Sequence, residues 1–167
     1  MSFIDDKFNQ MVAEHNGKKW EVVDATNPNQ CFDLAVGFLD YLALPRSFQH
    51  LYAYQIYTSP TALTKLNFEI IPNGPIAVPK KGDIVVWSSA YGPAGHVAVS
   101  NGVGNVWNFE VFSQNDPIGS VCLIRQYSYS KVLGWLRPKT TGPTPILKTV
   151  KQLTAELAEA VANKRWE

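Results

Sequence analysis

Residues 27–35, NPNQCFDLA, predict a turn that runs directly into a helix with a cysteine at its start. Asparagine caps the free N–H groups of a helix N-terminus, and proline suits a helix entry. Ala35, Phe38 and Leu42 then follow Cys31 at helical spacing, so one face of this helix must be buried. Cys31 lies at the tip of that face, where the helix dipole favours a reactive thiolate. An inert buried cysteine remains the alternative at this point.

Composition limits the class of protein. The chain has 167 residues, enough for one domain, and 46% hydrophobic with 17% charged residues is typical of a globular protein. A net charge of +1 gives no electrostatic reason to expect nucleic acid or an anionic membrane as partner. No apolar run reaches transmembrane length, and no secretory signal pattern opens the sequence, so we expect synthesis in the cytoplasm. Cys31 and Cys122 are expected as free thiols, with a single disulfide left open.

Hydrophobic periodicity predicts helices first and strands afterwards. An amphipathic helix from Ile4 ends near His15, the cysteine helix runs from about 30 to 44, and residues 46–74 are irregular with one short helix. Strands are predicted at 84–87, 96–100, 106–113, 120–127 and 131–136, with a hairpin turn at Asn101-Gly102. This order predicts an α+β fold in which the cysteine helix packs on an antiparallel meander.

The domain layout follows from composition. Residues 1–138 form the predicted catalytic domain, and residues 139–145 form a Thr/Gly/Pro-rich linker. Residues 146–167 carry an apolar seam at three- and four-residue steps, which predicts a separate amphipathic helix. That helix is expected to dock on the domain, to mediate self-association, or to lead into a further module.

Three residues on separate elements suggest one catalytic site. Cys31 is the candidate nucleophile, and His96 begins a strand after a Gly-rich loop, where a general base can project from a sheet. Asn115 closes the following strand, and its side-chain carbonyl can fix the imidazole tautomer. Strand periodicity places Ser113 on the same face as Asn115. A histidine in such a position is otherwise often structural.

Five short motifs follow one another along the chain: QCFDL at 30–34, KGDIVVW at 81–87, GHVAV at 95–99, SQN at 113–115 and GWLRP at 134–138. In these motifs and their order the chain resembles, over residues 3–138, the CHAP domains, which are cysteine, histidine-dependent amidohydrolases/peptidases. The resemblance implies a papain-like fold and hydrolysis of an amide bond in bacterial peptidoglycan, as in phage endolysins. It matches Cys31 to the nucleophile, His96 to the base and Asn115 to the third residue.

Two departures from the family pattern matter. Many phage members have Glu where this chain has Ser113, which leaves Asn115 to orient His96. Some members bind calcium through carboxylates in the loop before the cysteine, and here Asp24 and Asp33 match two of those positions. Other ligand positions hold non-carboxylate residues, and calcium prefers six to eight oxygens, so no cofactor is expected and calcium is a weak alternative.

The implied mechanism is acyl transfer by a thiol. Cys31 attacks the amide carbonyl, and the Cys31 N–H with Gln30 is expected to stabilise the oxyanion. Tyr91 and Trp107 are candidates for the substrate groove, with core packing as the alternative, whereas Trp87 is expected in the core.

Three other functions stay open. An NlpC-type amidase shares the nucleophile and base but differs in the third residue. A non-catalytic wall-binding or virion structural module on a CHAP fold is the alternative outside enzymes, and Ser113 favours it. A metal site from Cys31, His96 and an aspartate is least favoured, because no second Cys or His lies at ligand spacing. The bond that is cut, whether by an amidase or by an endopeptidase, and the target wall are left undecided.

Overall fold

Helices pack against one side of a six-stranded antiparallel sheet in the computed structural model, which describes residues 2–22 and 29–139. The predicted α+β fold with an antiparallel sheet is therefore confirmed. The helices are α1 (Phe3–His15), α2 (Cys31–Tyr41), α3 (Gln55–Thr58) and α4 (Ala62–Asn67). The strands are β1 (Phe68–Pro72), β2 (Ile84–Trp87), β3 (His96–Gly104), β4 (Asn108–Ser113), β5 (Leu123–Ser128) and β6 (Val132–Pro138). The predicted C-terminal helix and nearly all of the predicted linker lie outside the described residues.

The first two helices form as their sequence patterns predict. Ser2 caps α1 in a capping box with Asp5, and Phe8 and Met11 bury the apolar stripe of that helix. Helix α2 ends at Tyr41, three residues before the predicted end. None of the helices in the described ranges is long and apolar enough to cross a membrane.

The sheet order is β1-β6-β2-β3-β4-β5. Strands β2 to β5 form the predicted meander, but β6 returns to lie between β1 and β2, and β1 was not predicted. The register Ile70↔Leu136 places β1 against β6 as an edge strand. The sequence therefore indicated the centre of the sheet correctly and missed one edge.

The predicted hairpin turn at Asn101-Gly102 is wrong. Both residues belong to β3, whose register with β4 shifts between Ser100 and Gly104. Gly102 has φ +76°, and a Cβ there would lie 2.8 Å from the Lys81 backbone nitrogen, so the glycine serves a bulge. The turn itself follows at Asn105, whose side chain accepts hydrogen bonds from two N–H groups of the loop.

Alternate residues of the sheet enter two separate cores. Val97 and Val99 of β3 pack against the helices, whereas Ala98 faces an aromatic cluster on the other side. Trp87 is fully buried in that second cluster, as expected. His96, two residues before Ala98, begins β3 beside the same aromatic cluster.

A buried ion pair joins two of the sequence motifs. Asp83 precedes β2 and Arg137 lies near the end of β6, and the guanidinium donates to both carboxylate oxygens at 2.9 and 2.7 Å. Asp83 is 1% exposed, and it also accepts the N–H of Lys80 at 2.7 Å. The pair thus ties the turn before β2 to its neighbouring strand.

Candidate active site

The start of α2 is fixed by the carboxylate of Asp33. Its Oδ2 accepts the N–H of Gln30 at 2.7 Å, and its Oδ1 accepts the N–H of Val22 at 3.1 Å. Both bonds satisfy backbone donors around the helix N-terminus. Cys31 is therefore held as the first residue of α2, where it is half-buried.

The Cys31 thiol lies beside the start of β3. The N–H groups of Val97, Phe32 and Cys31 itself face the sulfur and favour the thiolate. Burial outweighs them and raises the pKa of Cys31 to about 11, and the Asp116 carboxylate acts in the same direction. Val97 directly follows His96, so the thiol lies beside the strand residue next to the candidate base, and the resting thiol is neutral at pH 7.

His96 is enclosed by aromatic rings. The centroids of Trp87, Tyr91 and Tyr127 lie 5.1, 5.8 and 6.1 Å from the imidazole centroid. Gly95 delivers His96 to this position with φ +68°, and a Cβ there would lie 2.6 Å from the Trp87 carbonyl oxygen. The turn before β3 therefore requires glycine.

Two side chains lie at the Nε2 atom of His96. Ser113 Oγ is 2.9 Å away in a hydrogen bond, and Asp116 Oδ2 is 3.9 Å away. Burial lowers the pKa of His96, and the Asp116 carboxylate opposes this shift. The imidazole is consequently neutral at pH 7.

Asp116 is held by two phenols. Its Oδ2 accepts hydrogen bonds from Tyr91 at 2.5 Å and from Tyr127 at 2.6 Å. Burial acts to raise the pKa of Asp116, but the two phenols, His96 and Arg125 together lower it. The carboxylate is therefore ionised at pH 7.

Asn115, the expected partner of His96, bonds elsewhere in the structure. Its Nδ2 donates to Gln30 Oε1 at 3.0 Å, and its Oδ1 accepts the N–H of Gly119 at 2.6 Å. Asn115 has φ +61°, a conformation that asparagine tolerates better than most residues. Its contacts shape the turn after β4 and hold Gln30, while Ser113 and not Asn115 contacts the imidazole.

Gln114 is a site residue that the sequence reasoning missed. Its Oε1 accepts from the Trp20 N–H at 2.7 Å and from Cys122 Sγ at 3.0 Å, and its Nε2 donates to the carbonyls of Trp20 and Gln30 at 2.9 Å each. Every donor and acceptor of this buried amide is used. Gln114 therefore joins the end of β4 to the segment before Cys31. A polar residue between Ser113 and Asn115 was the only sequence signal.

The other predicted site residues separate into two groups. Tyr91 lies at the site, where it stacks on His96 and bonds Asp116. Gln30 directly precedes Cys31, and its side-chain oxygen accepts from Asn115. Trp107 lies in the β3–β4 turn, at the opposite end of β3 from His96, and is 79% exposed. Its assignment to a groove beside His96 is therefore corrected.

The two calcium candidates, Asp24 and Asp33, do not form a site within the described residues. Asp24 lies outside the described residues, and both carboxylate oxygens of Asp33 accept backbone N–H groups. Residues 2–22 and 29–139 contain no group of three or more His, Cys, Asp and Glu able to hold a metal ion. Cys31 and Cys122 are both free thiols.

If the chain hydrolyses cell walls, as the family resemblance implies, chelation with EDTA is expected to leave that activity and the melting temperature unchanged, because the charge of Asp33 is already satisfied by hydrogen bonds to the protein. The measurement is a turbidity assay and a thermal melt, each with and without EDTA. Loss of activity on chelation that added calcium restores would contradict this expectation.

Comparisons with known proteins show similarity of fold. No family model and no curated protein sequence matches this chain. The wild-type endolysin LysIME-EF1 superposes with a TM-score of 0.64 at 21% identity over 83% of this chain, and Ly7917 with 0.61 at 17% identity over 81%. Ly7917 with the hydrolysing product of MDP gives 0.60 at 16% over 80%. The match spans 65%, 62% and 62% of those chains, less than two thirds of each. This chain therefore shares its α+β fold with an endolysin.

Proposed function

We propose that the protein is a peptidoglycan hydrolase of the CHAP type, with a papain-like arrangement in which Cys31 is the nucleophile and His96 the base. The observation that carries the proposal is the position of Cys31 at the N-terminus of α2, beside the start of the strand that bears His96. Ser113 and Asp116 lie on the Nε2 side of the ring, which leaves Nδ1 as the nitrogen for the thiol. The endolysin fold and the ordered CHAP motifs support the substrate class.

The first step forms a thioester. Because the thiol and the imidazole are both neutral at rest, the S–H proton passes to Nδ1 of His96 as the sulfur attacks the amide carbonyl. The Cys31 N–H at the helix N-terminus stabilises the oxyanion, and such a donor typically contributes about 3 kcal/mol. The C–N bond then breaks, and the imidazolium gives its proton to the leaving amine.

The second step releases the product. Neutral His96 takes a proton from water, the hydroxide attacks the thioester carbonyl, and the C–S bond breaks to give a carboxylic acid. The sulfur recovers the proton from His96. Because the base must be neutral, activity is expected to persist down to the lowered pKa of His96 and to be lost as the pH falls through it.

The biological setting belongs to the same proposal. A phage endolysin that acts on the cell wall fits the fold and the motifs. Residues 1–138 form its proposed catalytic domain, and the helix predicted for residues 146–167 lies outside the described residues. Neither a nucleic acid nor a membrane-inserted segment is required. Mass spectrometry of muropeptides from digested walls identifies the bond that is cut.

A non-catalytic wall-binding module on the same fold is the second candidate. The observation that favours it is the pKa of Cys31, which burial raises to about 11. A structural thiol reacts only as the pH approaches its pKa, whereas a thiol with a working base reacts near neutrality.

Alkylation by iodoacetamide distinguishes the two candidates. At pH 7.5 we expect Cys31 to react on the order of ten times faster than Cys122, whose pKa burial raises to about 12, because only Cys31 has an adjacent base. His96→Ala should slow Cys31 to a rate that differs from that of Cys122 only through the greater burial of Cys122, and His50→Ala, a histidine outside the site, should leave the Cys31 rate unchanged. Peptide mass spectrometry reports both cysteines in one sample. A Cys31 rate that is equal in wild type and His96→Ala would support the non-catalytic module.

A further inference from the structure

We propose that Asp116, rather than Asn115, is the charged partner of His96, and that Tyr91 and Tyr127 hold its carboxylate in place. The inference rests on the function proposed above and adds a positioning residue to it. Asp116 lies one residue beyond the SQN motif, and neither the motif nor the strand period selected it.

The geometry gives Asp116 two routes to the imidazole. Its Oδ2 lies 3.9 Å from Nε2 of His96, so the carboxylate faces the ring directly. A hydrogen-bonded path also runs from Nε2 to Ser113 Oγ at 2.9 Å, on to the Tyr127 hydroxyl at 3.4 Å and from there to Asp116 at 2.6 Å. Tyr91 donates to the same carboxylate oxygen at 2.5 Å. The turn therefore aims the carboxylate at His96 and fixes it there.

Ser113 cannot supply a negative charge next to His96. A serine hydroxyl can orient the ring, but proton transfer from Cys31 creates a positive imidazolium within a buried, aromatic environment. A carboxylate about 4 Å away stabilises that cation strongly where water is excluded. Asp116 thus supplies the negative charge that Ser113 cannot provide.

Other titratable groups around His96 and Asp116 keep the Asp116 carboxylate charged. The Tyr91 and Tyr127 phenols keep the Asp116 carboxylate ionised, and Arg125 does so from β5. The Asp116 charge also acts on the Cys31 thiol, whose pKa it raises, and this thiol is the proton donor of the proposed reaction. Among the described residues, the pKa of His96 is moved by burial and by Asp116.

Asp116→Asn tests the proposal through His96 itself. The pKa of His96, followed by NMR of the imidazole, is expected to fall by about one unit, because Asp116 raises it in the wild type. Cys31 alkylation and wall hydrolysis should both fall about 10- to 100-fold, since a weaker base accepts the thiol proton less readily. Asp40→Asn, which removes an exposed carboxylate paired with Arg46, is the matched control and should change none of the three.

Two further variants separate charge from fold. Ser113→Glu in the Asp116→Asn background restores a carboxylate next to Nε2 and should recover the pKa of His96 and most of the alkylation rate. The double variant Tyr91→Phe/Tyr127→Phe removes both phenol donors, so the pKa of Asp116 should rise, and the pH below which Cys31 alkylation slows to the Asp116→Asn rate should rise with it. This double variant tests the same contacts if Asp116→Asn fails to fold.

The outcomes are distinct. An unchanged pKa of His96 and unchanged Cys31 alkylation in folded Asp116→Asn would overturn the proposal, even if wall hydrolysis were lost. Absence of wall hydrolysis in the wild type would instead overturn the proposed function, while the His96 titration would still report on Asp116.

Discussion

Replacing Cys31 with alanine is expected to lower wall hydrolysis by at least about 10⁴-fold, because loss of a nucleophile removes the covalent route as a whole. Cys31 is half-buried and alanine is only slightly smaller, so the melting temperature should stay close to that of the wild type. The measurement is the loss of turbidity of purified walls, with circular dichroism to confirm the fold.

Cys122→Ala is the matched control for this variant. Cys122 is buried and donates to Gln114, so its loss should cost stability but preserve hydrolysis below the melting temperature. A folded Cys31→Ala protein that clears walls at the wild-type rate would exclude the thiol mechanism.

Replacing Arg137 with alanine is expected to cost about 3–5 kcal/mol of unfolding free energy, because it leaves the buried Asp83 carboxylate without its cation. Burial already raises the pKa of Asp83 despite Arg137, and removal of the guanidinium should raise it further. Protonation then removes the uncompensated charge, so the deficit should shrink as the pH falls. Urea unfolding at several pH values measures both effects.

Arg46→Ala is the control for Arg137→Ala. Arg46 pairs with Asp40 at 2.7 Å, but both side chains are about half exposed, so the expected cost is at most about 1 kcal/mol. Asp83→Asn in the Arg137→Ala background should recover part of the loss by removing the charge. Equal costs for Arg46→Ala and Arg137→Ala would show that burial of Asp83 is not the cause.

The fold was predictable where periodicity is strong. Helix α1, helix α2 and the strands from β2 onward follow apolar patterns that only one type of element can bury. Strand β1 was missed because its five residues follow α4 directly, and they become a strand through pairing with β6. Such pairing between residues distant in sequence is decided by tertiary structure, not by local preference.

The sequence predicted correctly that Cys31 begins a helix and that His96 begins a strand. The choice of Asn115 as partner applied the two-residue strand period beyond the end of β4, which is at Ser113. Asn115 instead has a positive φ, which turns the chain so that Asp116 comes back toward His96. Turn geometry of this kind depends on local hydrogen bonds, such as that from Gly119 to Asn115, which periodicity does not encode.

The hydrogen bonds of Gln114 also set the earliest point in synthesis at which the surroundings of Cys31 can be complete. Gln114 joins Trp20 and Gln30, which lie 94 and 84 positions earlier in the chain. Contacts between residues so far apart in sequence form slowly, and these can form only after Gln114 has been made. A nascent chain that has released α2 but not β4 therefore carries Cys31 without its final surroundings. The surroundings of Cys31 are therefore complete only after Gln114 has been made and has bonded to both segments.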